Sequence, residues 1–329
     1  MKLFALKSSF LTVGLLVFAT ATHASEKVRW LNDWLPAGDK AAIYLGVQKG
    51  LFEAEGIDVE ISSARGGSDV ITKLATGSAE FGSAGLASLL QARAQGEIPV
   101  VALSPIYTRQ PDAVFTTEDA GINSIKDLVG KQVATPAFSA SNVTWPLVLQ
   151  RNDVQADDIR LLKVDPGAMA AMLATGKVQA TLSWVTVAPG FEKALAETGK
   201  QLKVLPWSNY GFEGYGLSLV GSKTFVEAHP DLTARFVKAY RKAEELAKAD
   251  PASAAAALKA MVPEIDEVQA EAQYRASIPL IENPTTEKIG TQGFDPGLLK
   301  TTWAWVAKSQ NLPLDTLDPA TVVDGRYAQ

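Results

Sequence analysis

The residue types that carry most covalent chemistry are scarce in this chain of 329 residues, which has no cysteine and two histidines, His23 and His229. Zinc coordination, Cys/His nucleophile pairs and Ser-His-Asp hydrolysis therefore lack most of their material. His229 precedes Pro230 at a predicted helix start, where capping or a surface position accounts for it. A carboxylate pair or a lysine-based site could still be assembled, but no spacing argues for one. No metal, no cofactor and no catalytic residue is expected.

What the chain does carry, at the ends of predicted strands, is a set of groups suited to noncovalent recognition. Asp33 and Trp34 follow the first strand, where Trp34 offers a flat face for a ring or alkyl chain and Asp33 an acceptor for amines. Base packing and turn capping are the plainer alternatives for these two. Ser83, Ala84 and Gly85 follow a later strand, and their small size lets a ligand approach the backbone. Ser139, Ser141 and Asn142 occupy an equivalent turn, with hydroxyls and free amides at a helix N-terminus that favour an anionic or carbonyl group. Capping explains both turns without excluding contact. Trp184 ends a further strand, and Tyr210, Glu213 and Tyr215 form a polar-aromatic set among Gly211, Gly214 and Gly216, which a hinge also requires. Arg65 beside Gly66-Gly67-Ser68 could hold an oxyanion, with Ser68 as helix cap, although an exposed arginine is the commoner outcome. Lys40 reads as a solvated lysine at a helix start, with contact to an acidic group as the alternative.

The elements that position these groups alternate. Short apolar runs at 28–31, 58–61, 81–82, 100–104 and 113–116 are separated by helical patterns closed by Gly50 and Gly77, the α/β signature of parallel strands with crossover helices. The pattern restarts with a capped helix at 124–128 and strands at 132–135, 159–164, 178–184, 202–205 and 217–220. Beyond Ser222 the chain reads as almost wholly helical. Two such blocks predict two α/β lobes joined by a hinge of two crossings, near 107–111 and 209–216, with a helical C-terminal tail. The expected division is 25–108 for the first lobe, 109–214 for the second, and 215–329 for the return and tail. Ligand loops then lie beyond the carboxyl ends of the strands, in a cleft between lobes, where Trp34 and Trp184 would grip opposite faces of a solute.

Residues 1–24 read as a secretory signal peptide, with Lys2 and Lys7, an apolar run at 10–19 too short to span a bilayer, and small residues up to Ala24. Without a cysteine after the cut, lipid anchoring is not expected, and the simplest location is a Gram-negative periplasm. Loss of Lys2 and Lys7 takes the formal charge from −5 to −7, which argues against nucleic acid as a partner. With no disulfides available, the fold rests on buried apolar surface.

Several fragments, in order, carry a family resemblance: Asp33-Trp34-Leu35-Pro36 with Tyr44, Lys49-Gly50-Leu51-Phe52, Glu55-Gly56-Ile57-Asp58-Val59, Gly66-Gly67-Ser68, and Gly77-Ser78-Ala79-Glu80-Phe81-Gly82. Gly121-Ile122, Lys126-Asp127-Leu128, Gly130-Lys131, residues 173–178, Tyr210-Gly211 and Tyr215-Gly216 continue it. Together they resemble substrate-binding proteins of bacterial ABC importers in the nitrate, sulfonate, taurine and thiamine-precursor group. The resemblance implies a type II periplasmic-binding fold that closes on a small solute and hands it to a membrane permease, with no chemistry and with membrane contact only through that permease. In thiamine-precursor relatives a histidine follows the Asp-Trp-x-Pro segment, where this chain has Asp39-Lys40. A small heteroaromatic ligand such as a thiamine-precursor pyrimidine is expected, with alkyl sulfonate, taurine or nitrate as alternatives. Arg65 in the cleft would favour the anions, and carboxylates such as Asp33 and Glu213 the pyrimidine. A pyrimidine-synthase-like enzyme on the same fold and a sensory receptor are further alternatives; the cysteine-rich motif of the former has no counterpart here.

Overall fold

Short runs of β-branched, aromatic and small residues make ten strands among the residues that a computed structural model of the chain describes, 25–290 and 293–327. The segment read as a signal peptide lies outside the described residues. The strands are β1 (Glu26–Asn32), β2 (Ile57–Ser63), β3 (Phe81–Gly85), β4 (Val100–Pro105), β5 (Asp112–Thr117), β6 (Gln132–Pro136), β7 (Arg160–Val164), β8 (Ala180–Trp184), β9 (Leu202–Pro206) and β10 (Leu217–Ser222). They form two five-stranded sheets, ordered β2-β1-β3-β10-β4 and β7-β6-β8-β5-β9. Strands β3, β4, β5 and β10 are buried at every residue, whereas β2 at a sheet edge alternates. Continuous burial follows from helices covering both faces.

The sheets correct one expectation. β1 runs parallel to β2 and β3, and β6 to β7 and β8, but β10 is antiparallel to β3 and β4, and β5 to β8 and β9. The reason is connectivity. β5 and β10 are the strands by which the chain enters each lobe from the other, so they begin at the hinge and run away from it, while their neighbours end towards the cleft. The crossings lie between β4 and β5 and between β9 and β10.

Six helices accompany these strands in the two blocks: α1 (Ala41–Gln48), α2 (Gly67–Ala75), α3 (Leu86–Gln95), α4 (Ser141–Arg151), α5 (Met169–Ala174) and α6 (Ala188–Ala196). Ser68, expected to cap α2, sits instead in its first turn. The cap is Gly66, whose φ of 147° and contact with Phe138 of the second lobe leave no room for a side chain.

The C-terminal region is helical as predicted, with α7 (Lys223–Ala228), α8 (Pro230–Ala249), α9 (Pro251–Met261), α10 (Glu267–Ile281), α11 (Pro284–Ile289) and α12 (Pro296–Ser309). It is not an appendage. Phe236 and Tyr240 of α8 stack on Trp30 of β1 with ring centroids 5.9 and 5.1 Å apart, completing the core of the first lobe. α10 packs against the short turn Gly38–Lys40 of the first lobe and also against α6 and Val185–Val187 of the second, and α12 spans α3 and α4. No helix among the described residues is long and apolar enough to cross a membrane.

Candidate ligand-binding site

The carboxyl ends of β1 and β8 face one another across the cleft and deliver Asp33-Trp34 and Trp184 to a cavity of about 250 Å³. Ser139 and Ala140 before α4, Met169 of α5, Phe191 of α6, and Gln269 and Gln273 of α10 complete much of its wall. Each tryptophan leaves its own lobe: Trp34 packs on the apolar cluster of the second lobe that contains Met169 and Phe191, and Trp184 packs on the core of the first. This reciprocal packing is a closed arrangement. It is reinforced where Gly66 meets the Phe138 carbonyl and where Gly85 lies against Ala140.

A buried charge cluster forms one side of the cavity. Lys40, with its side chain only 3% exposed, places Nζ 3.0 Å from Asp33 Oδ1 and 3.4 Å from Asp39 Oδ2. The same ammonium lies 4.9 Å from the centre of the Trp184 ring, a cation–π contact across the lobes. Burial works to lower the Lys40 pKa, but Asp33 and Asp39 outweigh it and hold the pKa above the usual lysine value, so the ammonium stays charged. Two carboxylates against one cation leave an excess of one negative charge. Asp33 is fixed by Ser83, whose Oγ donates to Asp33 Oδ1 at 2.9 Å and accepts from the Asp33 amide at 3.2 Å. Asp39 is fixed from the other lobe by Thr186.

A third carboxyl stands behind Trp184. Asp112 Oδ1 accepts from Trp184 Nε1 at 3.0 Å and from Ser141 Oγ at 2.5 Å. Burial pushes its pKa up to about 6, against the pull of those two hydrogen bonds. Ser139 Oγ donates to Ser141 Oγ at 3.2 Å, so the turn before α4 is tied to the indole of Trp184 through Asp112.

The residues singled out by sequence divide clearly. Asp33, Trp34, Ser139 and Trp184 line the cavity. Ser83, Gly85 and Ser141 stand one layer behind it, holding Asp33, Ala140 and Asp112 respectively. Asn142 turns back onto its own loop, accepting from Thr135 Oγ1 and donating to the Pro136 carbonyl.

Tyr210, Glu213 and Tyr215 are not in the cavity wall, because the return crossing lies under α12 rather than over the cleft. Tyr210 packs on the apolar cluster of the second lobe, Glu213 is exposed, and its carbonyl accepts from Trp305 Nε1. The Tyr215 side chain is buried in the first lobe, its hydroxyl accepting from the Asp295 amide at 2.7 Å. Arg65 also lies outside. Its side chain is 68% exposed at the rim, over the Phe138 ring at 4.6 Å and 3.8 Å from Asp69, and Ser68 beside it touches the Phe138 carbonyl through its amide. His229 packs against Phe225 in a tilted ring contact, away from the site.

Sequence reasoning missed the share of α10 and the burial of Lys40. Gln273 Oε1 accepts from the Gly38 amide at 2.7 Å, which locks α10 onto the turn carrying Asp39 and Lys40. The available signal was the pair Gln269 and Gln273, four apart on one helix face.

The profile of the family described as "NMT1/THI5 like" matches residues 38–254. The chain belongs to that family. Among its relatives, the formylaminopyrimidine-binding protein of Halalkalibacterium halodurans is 24% identical over 272 residues, 81% of each chain. The 4-amino-5-hydroxymethyl-2-methylpyrimidine phosphate synthase of Schizosaccharomyces pombe is 28% identical over 110 residues, 33% of this chain and 32% of that one. Among solved structures, the alkanesulfonate-binding protein SsuA of Xanthomonas axonopodis pv. citri bound to MOPS superposes with a TM-score of 0.71 at 18% identity, covering 91% of this chain and 98% of that one. At that identity the likeness shows the fold, that of periplasmic binding proteins, with two α/β lobes.

Proposed function

We propose that this protein is an exported solute receptor whose two lobes close on a small nitrogen-containing heteroaromatic molecule, of the thiamine-precursor pyrimidine kind, and present it to the permease of an ABC importer in the periplasm. One observation carries the ligand class: an aromatic-walled cavity whose buried charges are Asp33, Asp39 and Lys40, with Arg65 left at the rim. An excess carboxylate favours a ligand with N–H donors and disfavours a sulfonate, nitrate or taurine head group, which needs uncompensated donors. The formylaminopyrimidine-binding relative, aligned over four-fifths of the chain, points the same way.

Binding without turnover is the reading that the site supports. Among the described residues its wall holds neither cysteine nor histidine, and the synthase relative aligns over only a third of the chain. Contacts made by both lobes exist only when the cleft is shut, so ligand shifts the population towards the closed form that a permease can recognise.

A thermal-shift panel of aminopyrimidines, alkanesulfonates, taurine and nitrate tests the ligand class. A ligand at a hundredfold excess over its dissociation constant stabilises the folded state by about 2.7 kcal/mol. The aminopyrimidines are expected to raise the melting temperature, and a response confined to sulfonates would replace the proposed class. Conversion of any pyrimidine by the purified protein would replace the receptor role itself.

A further inference from the structure

Gln269 and Gln273 lie one turn apart on α10 and line the cavity, and α10 packs against both lobes. The Gly38 amide of the first lobe donates to Gln273 Oε1 at 2.7 Å. A backbone N–H can only donate, so this bond fixes which way round the carboxamide sits and leaves Nε2 as a donor directed away from that turn. Gln273 is 5% exposed, and its Nε2 has no hydrogen-bond partner among the described residues, yet it is not one of the orphaned atoms sealed inside the protein. Its remaining surface opens onto the cavity that the residue lines.

Gly190 of α6, in the second lobe, borders the same point. A Cβ there would lie 3.0 Å from Gln269 Nε2 and 3.5 Å from Gln273 Nε2, so the two carboxamides meet the second lobe where it has no side chain. Gly190 and its neighbour Phe191 both line the cavity. A donor this deeply buried has to find an acceptor in whatever displaces water from the cavity, or the displacement is costly. An uncharged acceptor suits it, because the carboxamide is neutral and the cluster of Asp33, Asp39 and Lys40 on the same cavity carries an excess negative charge.

We infer that Gln273 is a specificity-determining residue whose Nε2 donates to an uncharged acceptor on the ligand ring, with Gly190 leaving the space in which the ring reaches it. The inference rests on the proposed heteroaromatic ligand and narrows it, the acceptor being a ring nitrogen. Gln269, whose side chain has no hydrogen-bond partner among the described residues, stands beside it as a second carboxamide free to turn its oxygen or its nitrogen to the ligand. An all-carbon ring of the same outline would leave the Gln273 donor unpaired.

Calorimetric titration with 4-amino-5-hydroxymethyl-2-methylpyrimidine and with 2-amino-4-methylbenzyl alcohol, which has the same outline and no ring nitrogen, provides the test. The pH is held above the pKa of the pyrimidine, so that both compounds are uncharged. The unaltered protein is expected to bind the pyrimidine at least about tenfold more tightly. Gln273→Glu keeps an oxygen for the Gly38 amide and puts a second oxygen where the donor was, so the preference contracts to about threefold or less. The same loss for both compounds in this variant, which leaves the preference intact, overturns the role of Gln273 without touching the heteroaromatic reading. If neither compound binds the unaltered protein, or both bind it equally, that reading fails and the role of Gln273 with it. Should Gln273→Glu not fold, Gly190→Ala decides, because it sets a methyl group against both carboxamides and spares the bond to Gly38. It is expected to contract the same preference without lowering the melting temperature, and an unchanged preference would overturn the inference.

Discussion

Thr186 Oγ1, in the turn Val185–Val187 that follows β8 in the second lobe, donates a 2.8 Å hydrogen bond to Asp39 Oδ2 in the first, and both residues are buried. It is a polar latch across the cleft. Asp39 thus has one oxygen committed to a contact between the lobes.

Removing the latch should weaken ligand binding without removing the fold. Thr186→Val keeps the shape and deletes the donor, a change of about 1 kcal/mol or somewhat more, so the dissociation constant should rise about fivefold. Solution scattering should show a wider mean opening. Unchanged affinity together with unchanged scattering would show that the bond follows closure without favouring it.

The two tryptophans should matter for binding where the hinge tyrosine does not. Trp34→Ala and Trp184→Ala each remove an aromatic wall and its packing on the opposite lobe, and each should cost at least about tenfold in affinity. Tyr215→Phe loses the hydrogen bond from the Asp295 amide, so it should lower the melting temperature and leave affinity within about twofold. A Tyr215→Phe variant that loses affinity as the tryptophan variants do would return the hinge tyrosine to the site.

Gly66 should control closure. A Cβ there would lie 2.2 Å from the Phe138 carbonyl oxygen, at a φ of 147° that other residues rarely adopt. Gly66→Ala is expected to hold the lobes apart and abolish ligand-dependent compaction, measured by scattering. Gly77→Ala, also at positive φ but with nothing within 4 Å, should cost only about 1 kcal/mol in stability and close normally. Normal compaction in Gly66→Ala would mean that the two loops part with little effect on closure.

Asp112 predicts a pH dependence with a definite sign. Its folded pKa of about 6 lies above the ordinary carboxyl value of 3.8, so between those values the native state binds more protons than the unfolded one. Stability from this group therefore falls as pH rises from about 4 to about 6 and is level above. Relative to the native protein, Asp112→Asn should gain stability progressively over that window in denaturant titrations, then run parallel. A stability difference that stays constant from pH 4 to pH 7 would contradict the raised pKa.

Much of the architecture was legible locally. Strand positions followed from runs such as Val100-Val101-Ala102-Leu103 bounded by turn residues, and the crossings from the glycine and proline clusters around Pro111 and Gly214. Antiparallel entry of β5 and β10 was not legible, because strand direction depends on where the chain arrives from and not on side-chain type. Asp33, Trp34, Ser139 and Trp184 reached the cavity for the reason that singled them out, since loops at strand carboxyl ends face the cleft of an open α/β sheet.

By itself the sequence determined the order of elements and the two α/β lobes, which follow from residue type and near-neighbour spacing. Only the tertiary structure decided that Arg65 stays at the rim, that Tyr215 is core, that α10 closes the cavity and that Lys40 lies buried between Asp33 and Asp39. Each of these turns on which distant surface packs against a side chain. The ammonium of Lys40 could leave water only because two carboxylates and the ring of Trp184, 144 positions further along the chain, meet it in space.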